Sequence, residues 1–185
     1  MENKYDIAVF AGGCFWCLEP AFDKVKGVKE TIVGYTGGHV VNPSYEQVCE
    51  GGTGHAEAIQ VIYDPKEVSY QELLKVFWTK IDPTAAYGQF SDVGNQYRTG
   101  IFYSNEEQYR LAEESKHALN SSGEYEEPIV TTIEPATVFY PAEEYHQDYY
   151  RKNPVRYNAY YMGSGRGTFC PVNVGAILNQ RHQSD

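Results

Sequence analysis

Positive charge is scarce in this chain. Its 185 residues carry 15 Lys and Arg against 25 Asp and Glu, which gives a formal net charge of −10, and the basic residues form no tract. Proteins that bind nucleic acid neutralise phosphates with clustered Lys and Arg. We therefore expect no nucleic-acid partner.

Long apolar runs are also lacking. No segment approaches the roughly 20 consecutive apolar residues that cross a bilayer, and residues 1–6 have neither the basic nor the apolar region of a signal peptide. We expect a cytoplasmic protein with no membrane partner. In that compartment, its four cysteines favour catalysis or metal binding over a structural disulfide framework.

The segment Gly12-Gly13-Cys14-Phe15-Trp16-Cys17 is the most informative part of the chain. It follows an apolar run, 7–11, which predicts a buried strand, and it precedes a predicted short helix, 18–25. Two glycines let the backbone turn sharply and approach a ligand. Free N–H groups and the dipole at the helix start favour a thiolate at Cys14, which predicts a nucleophile.

Strands and helices alternate along the rest of the chain, with no repeat and no linker. Strands are predicted at 28–35, 56–63, 97–103 and 129–133, and helices at 45–48, 70–80, 104–120 and 143–150. This alternation predicts a single α+β domain over residues 1–185, with helices on one or both faces of a mixed sheet. The polar stretch 82–94 is predicted to be a functional loop, and residues from about 155 to 185 a flexible, glycine-containing, largely irregular tail.

Glu57 is the best candidate for an acid beside Cys14. It begins an apolar strand next to a Gly-rich loop, and a carboxyl in an apolar site can keep its proton near neutral pH. The alternative is an ordinary solvent-facing strand residue. Tyr45 and Tyr97 could donate hydrogen bonds to an oxygen in the pocket, and His55 is best interpreted as a turn residue.

Three kinds of chemistry fit the cysteines. Cys14 and Cys17 could form the disulfide of a thiol–disulfide oxidoreductase, since positions i and i+3 share a helix face. Together with Cys49 and His55 they could bind zinc. Alternatively, Cys14 attacks a small substrate and another cysteine resolves the oxidised product. Phe-Trp between the two cysteines is unusual for the first two.

Five motifs occur together and in this order. They are Gly12-Gly13-Cys14-Phe15-Trp16, Gly34-Tyr35-Thr36-Gly37-Gly38, Asn42-Pro43-Ser44-Tyr45, Gly54-His55-Ala56-Glu57 and Gln96-Tyr97-Arg98. This joint pattern resembles the A-type peptide methionine sulfoxide reductases, over about Ala8 to Asn153. The resemblance implies a ferredoxin-like two-layer α+β sandwich with a mixed sheet. It also implies reduction of methionine S-sulfoxide, free or in proteins, to methionine.

The resemblance implies a role in protein repair and oxidative-stress defence, no metal or other cofactor, and thioredoxin as the reductant. We expect the protein to act as a monomer. The nucleophile is implied to be Cys14, and Glu57 is implied to protonate the sulfoxide oxygen. Tyr45 and Tyr97 are implied to bind that oxygen.

Other residues are implied to shape the pocket. Phe15 and Trp16 hold the methyl group, Asp92 organises the polar side, and His146 orders the structure.

The cysteine pattern departs from one that is common in the family. Many members have Gly where Cys17 stands and recycle through cysteines in a Gly-rich C-terminal tail, whereas this tail keeps only Cys170. We expect Cys17 to resolve first because it is close to Cys14. Cys170 then either carries the oxidation outward or is idle, and Cys49 is interpreted as structural.

Overall fold

A six-stranded sheet lies at the centre of the computed structural model, which describes residues 4–180. Its strands are β1 (Asp6–Gly12), β2 (Val28–Thr36), β3 (Ala56–Tyr63), β6 (Thr99–Tyr103), β7 (Thr132–Pro135) and β8 (Tyr140–Pro141), and β4 (Gly88–Gln89) and β5 (Asp92–Val93) form a separate ribbon. The strand order is β7-β6-β1-β3-β2-β8. The β6–β7 pair is parallel and the other pairs are antiparallel, so the sheet is mixed.

Helices connect and cover the strands. They are α1 (Phe15–Asp23), α2 (Tyr45–Glu50), α3 (Tyr70–Trp78), α4 (Glu106–Asn120), α5 (Tyr149–Lys152), α6 (Pro154–Gly163) and α7 (Val174–Asn179). Ser44 and Ser69 start α2 and α3 with capping boxes, in which each hydroxyl accepts a bond from the third helical residue. Between residues 4 and 180, no helix combines the length and apolar composition needed to span a membrane.

The topology brings the end of β1 and the starts of β3 and β6 to the same end of the sheet, which we call the active-site edge. The antiparallel register pairs Gly12 at the end of β1 with Thr99 at the start of β6, and Phe10 with Ile59 near the start of β3. The chain segments that follow β1 and precede β3 and β6 therefore meet beyond this edge. These segments hold Cys14, the Gly-rich loop before Glu57, and Tyr97.

The main core lies between the sheet and helices α1, α3 and α4. Alternate residues of β1 point to opposite faces, so Phe10 faces the helices while Val9 joins a smaller cluster on the other face. The Phe10 ring stacks on Phe22 of α1 at 5.3 Å and on Phe77 of α3 at 5.0 Å. This stack fixes α1 against the sheet, and α1 carries the Gly-Gly-Cys motif at its start.

The α+β class with a mixed sheet is confirmed, but several element bounds differ from the prediction. Helix α1 begins at Phe15, three residues earlier than expected, and the predicted loop 82–94 contains the β4–β5 ribbon. The predicted helix 143–150 is divided into a 3₁₀ turn, Glu144–His146, and α5.

The prediction of a largely irregular segment from about 155 is wrong up to residue 180. Helix α6, a 3₁₀ turn at Arg166–Thr168 and α7 occupy this region. Tyr157 is buried because the tyrosines of α6 pack on the start of α1. Val174 is buried in the main core. Residues 181–185 of the expected tail lie outside the described residues.

We predict that Phe10→Ala destabilises the protein by about 3–5 kcal/mol, because the change opens a cavity in a fully buried ring stack. Urea unfolding followed by circular dichroism measures the loss. Val155→Ala, at a position that is 83% exposed, is the control and should change stability by less than about 0.5 kcal/mol. Similar midpoints for the two variants would contradict the role of the stack.

Candidate active site

A glycine turn places Cys14 at the first position before α1. Gly13 has φ +82°, which L side chains rarely adopt, and a Cβ there would collide with the Arg166 guanidinium and with Gln89. Cys14 is the N-cap residue of α1 and its side chain is 6% exposed. The turn thus packs the thiol into the interior of the site.

Glu57 lies directly beside this turn. Its side chain is 1% exposed, and its Oε2 atom accepts a hydrogen bond of 3.1 Å from the backbone N–H of Phe15. Burial raises the pKa of the Glu57 carboxyl well above its ordinary value, and the neighbouring Cys14 raises this pKa further. The solvent-facing alternative is therefore wrong, and this buried environment favours the protonated form of Glu57.

Cys14 differs from its sequence-based expectation. Burial raises the pKa of the Cys14 thiol well above its ordinary value, and the neighbouring Cys17 thiol raises it further. The first backbone N–H of α1, which was expected to favour a thiolate, is bound to Glu57 instead. Burial thus favours the neutral forms of both the Cys14 thiol and the Glu57 carboxyl.

Two tyrosines reach the same site from separate elements. Tyr45 begins α2, and Tyr97 ends a 3₁₀ turn at Asn95–Tyr97. Burial raises the pKa of both phenols, and the nearby Glu57 carboxyl raises it further. Both hydroxyls are therefore neutral and able to donate hydrogen bonds.

Asp92 forms another side of the site. It lies on β5, and its Oδ2 atom accepts a hydrogen bond from the hydroxyl of Tyr160 on α6. Asp92 also contributes to the raised pKa of Cys14 and of Glu57, which places its charge near both groups. Tyr160 was missed by sequence reasoning because it lies in the segment interpreted as an irregular tail.

Phe15 and Trp16 form an aromatic wall that begins right after Cys14. The indole N–H of Trp16 donates to Nδ1 of His146 at 3.1 Å, and the indole stacks on Tyr149 at 3.8 Å. Since its Nδ1 accepts, neutral His146 carries its proton on Nε2, and burial lowers the pKa of this ring. The Phe15 ring also lies beside His146, with their ring centroids 5.2 Å apart, and it forms the remaining part of the wall.

The other cysteines occupy different environments. Cys17 is 4% exposed and lies with Cys14 in a cluster that includes Tyr149 and Tyr157. It also lines a cavity of about 110 Å³ together with Phe169 and Pro171, the two neighbours of Cys170. Cys170 itself is exposed, so its chain segment lies against the cavity that Cys17 lines.

A further residue that sequence reasoning missed is Arg166. It is 5% exposed, and its Nη2 and Nη1 atoms donate to the carbonyls of Gly12 at 3.2 Å and of Lys80 at 3.3 Å. The sequence around it, Gly163-Ser164-Gly165-Arg166-Gly167, is typical of a flexible segment. No local signal indicates that its side chain reaches the turn before Cys14.

Comparison with known proteins agrees with this geometry. The family model described as "Peptide methionine sulfoxide reductase" matches residues 6–175. A protein of Listeria monocytogenes named "Peptide methionine sulfoxide reductase MsrA" is 54% identical over 172 residues, which cover 93% of this chain and 97% of the relative.

The chain belongs to the A-type peptide methionine sulfoxide reductases.

Solved structures support the same assignment. Reduced Mxr1 of Saccharomyces cerevisiae is similar with a TM-score of 0.76 and 36% identity, over 84% of this chain and 89% of that chain. Mxr1 in complex with Trx2 is similar with a TM-score of 0.55 and 27% identity, over 80% and 87%.

Membership of this family identifies the chain as a peptide methionine sulfoxide reductase rather than a general thiol–disulfide oxidoreductase. The zinc interpretation has no geometric support, because both ring nitrogens of His55 are bound, Nδ1 to the Gly38 N–H and Nε2 to the Val40 carbonyl. Within residues 4–180, no group of three or more His, Cys, Asp or Glu side chains is arranged to hold a metal ion. His55 holds two loops together, as expected for a turn residue.

We predict that Glu57→Gln makes the reductase more stable relative to wild type as pH rises. Folded Glu57 keeps its proton above the ordinary pKa of about 4.5, so the folded state binds more protons than the unfolded state and wild-type stability falls with rising pH. The difference should grow from about pH 4.5 by up to roughly 1.4 kcal/mol per pH unit.

Urea unfolding at several pH values between 4 and 8 measures this difference. Glu126→Gln, at an exposed position, makes the same charge change and should show no such trend. A stability difference for Glu57→Gln that is constant with pH would show that Glu57 is ionised in the folded protein.

Proposed function

We propose that this reductase converts methionine S-sulfoxide, free or in proteins, to methionine through a sulfenic acid at Cys14. The carrying observation is the buried Glu57 carboxyl, hydrogen-bonded to the N–H that follows Cys14. A sulfoxide sulfur is a poor electrophile until its oxygen is protonated or strongly hydrogen-bonded. A protonated carboxyl beside a thiol meets this requirement.

The proposed chemical step balances within the site. Glu57 gives its proton to the sulfoxide oxygen, and the resulting carboxylate accepts the proton of the Cys14 thiol. The Cys14 thiolate formed in this way attacks the sulfoxide sulfur. The S–O bond of the substrate breaks and the oxygen is transferred to Cys14, which leaves methionine and a Cys14 sulfenic acid. Cys14 is oxidised by two electrons and the substrate is reduced by two.

Neutral phenols suit the oxygen side of this step. Tyr45 and Tyr97 retain their protons because burial and Glu57 raise their pKa. Each hydroxyl can donate to an oxygen that becomes more negative as the sulfur is attacked. Asp92, held by Tyr160, organises the remaining polar side.

The aromatic wall suits the methyl group of the substrate. Phe15 is buried and Trp16 is fixed by His146 and Tyr149. The methyl pocket lies on one side of the site and the oxygen donors lie on the other. We infer that the site accepts only one of the two epimers at the sulfoxide sulfur. The family resemblance implies that the S epimer is the one accepted, and we propose this preference.

Cys17 is the proposed resolving thiol. Its N–H donates to the Cys14 carbonyl at 3.1 Å, and its thiol is near enough to that of Cys14 to raise the Cys14 pKa. Condensation of the Cys14 sulfenic acid with the Cys17 thiol forms an S–S bond and releases water. Cys170 or thioredoxin then reduces this disulfide by exchange, and a relative that forms a complex with Trx2 supports a thioredoxin as the reductant.

We also infer a ferredoxin-like core acting as a single catalytic domain. The order β6-β1-β3-β2 with crossover helices α1 and α3 supports this assignment. We propose that the protein works as a monomer in the cytoplasm, in protein repair and oxidative-stress defence.

We predict that Cys14→Ser forms no methionine even with dithiothreitol, because a serine hydroxyl cannot accept the oxygen as a sulfenic acid. Wild type should consume the S-sulfoxide and leave the R-sulfoxide. Chromatography of each epimer after single turnover measures both. Methionine formed by Cys14→Ser would sink the nucleophile assignment, and equal use of the epimers would contradict the pocket proposal.

We predict that one equivalent of sulfoxide without reductant gives a Cys14–Cys17 disulfide in wild type and in Cys170→Ser. Peptide mass mapping locates the bond, and Cys49→Ser is the matched control, expected to behave as wild type. Full thioredoxin-dependent turnover by Cys17→Ser, together with its loss in Cys170→Ser, would show that Cys170 resolves directly.

A further inference from the structure

Arg166 is a buried charge without an ionic partner. Within residues 4–180 its guanidinium makes no ion pair, and its buried Nε atom has no hydrogen-bond partner. Two backbone carbonyls and the face of the Phe90 ring, 4.6 Å away, are its contacts. Burying a charge without a counter-charge is costly, so the burial of Arg166 calls for an explanation.

The guanidinium lies under the turn that presents the nucleophile. It donates to the carbonyl of Gly12, and a Cβ added to Gly13 would collide with it. Cys14 is the next residue along the chain. The positive charge therefore sits against the backbone that leads directly into the reacting thiol.

The groups that face this site are otherwise neutral or acidic. Among them are Cys14, Cys17, Glu57, Asp92, Tyr157 and Tyr160. Lys80 lines the cavity beside Cys17 together with Arg166, and Lys24 and Lys80 line a second cavity beside Cys17. The negative charge of Asp92 disfavours a thiolate at Cys14 and so raises the Cys14 pKa.

We propose that Arg166 is a positioning residue whose fixed positive charge stabilises the negative charge that the catalytic site must hold during the reaction. That charge is on Cys14 as it attacks and on Glu57 after it gives up its proton. The inference deepens the proposed reduction and rests on it for the identity of the charge. The proposal gives a role in the reaction to Arg166, which begins the turn Arg166–Thr168. This turn is followed closely by Cys170.

The direction of the electrostatic effect agrees with this assignment. Arg166 lowers the pKa of Glu57 and of Tyr157, whereas burial and neighbouring acids raise them. A cation near a thiol favours the thiolate for the same reason. Without Arg166, the thiolate at Cys14 should form only at higher pH.

The test measures the titration of Cys14 without using the sulfoxide reaction. In a full-length chain with Cys17, Cys49 and Cys170 changed to Ser, the rate of iodoacetamide alkylation against pH reports the Cys14 thiolate. Arg166→Met and Arg166→Gln remove the charge, and Gln retains a donor for the Gly12 carbonyl. Arg166→Lys retains the charge.

Phe169→Ala is the matched control for loosening the same segment. Phe169 packs edge-on against Phe90 at 5.0 Å, so its removal disturbs the docking of the Arg166–Thr168 turn and leaves the charge in place. Thermal melting of each variant identifies those that fold. Single-turnover methionine formation by the wild-type chain tests the proposed function separately.

We expect Arg166→Met and Arg166→Gln to shift the pH profile of the alkylation rate to higher pH by about one unit. At pH values below the Cys14 pKa, this shift corresponds to about a tenfold lower fraction of thiolate. Arg166→Lys should recover most of the shift, and Phe169→Ala should leave the profile unchanged. An unshifted profile in a folded neutral variant, or an equal shift in Phe169→Ala, would overturn the proposal. Failure of both neutral variants to fold would also overturn it, in favour of a structural role.

Discussion

The hydrogen bond from the Phe15 N–H to the Glu57 carboxyl holds the site together. It joins the first turn of α1 to the start of β3, elements that are 42 residues apart in sequence. A single bond sets the position of the acid and occupies the N–H that would otherwise stabilise a thiolate. Burial of both groups favours a protonated carboxyl and a protonated thiol.

This arrangement depends on support from outside the strand–turn–helix unit. Glu143 accepts hydrogen bonds from the Tyr35 hydroxyl and the Tyr45 N–H, which ties β2 to α2. Glu19 of α1 is 1% exposed and accepts the Asp148 N–H at 3.1 Å. Burial raises the pKa of Glu19 to about 7. The segment between Glu143 and Tyr149 is therefore fastened at both ends, and it carries the His146 ring that fixes Trp16.

The sequence predicted the local features well and the long-range ones poorly. Gly12 and Gly13 between an apolar strand and a helix indicated the turn at Cys14, and an apolar strand indicated the burial of Glu57. The thiolate was wrongly expected, because a helix start alone cannot reveal that Glu57 takes its N–H. Tyr160 and Arg166 were missed for a related reason. Glycine spacing around Arg166 favours an irregular segment, and tertiary contacts with Phe90 and Gly12 override it.

The two tryptophans of the chain report on two different parts of the molecule. Trp78 is fully buried, and its indole N–H donates to Ser115 between α3 and α4. Trp16 is half-buried in the aromatic wall, where its indole stacks on Tyr149 and bonds to His146. Intrinsic fluorescence therefore contains one signal from the helical core and one from the aromatic wall beside Cys14. Spectral changes confined to this wall belong to Trp16, and those on global unfolding include both.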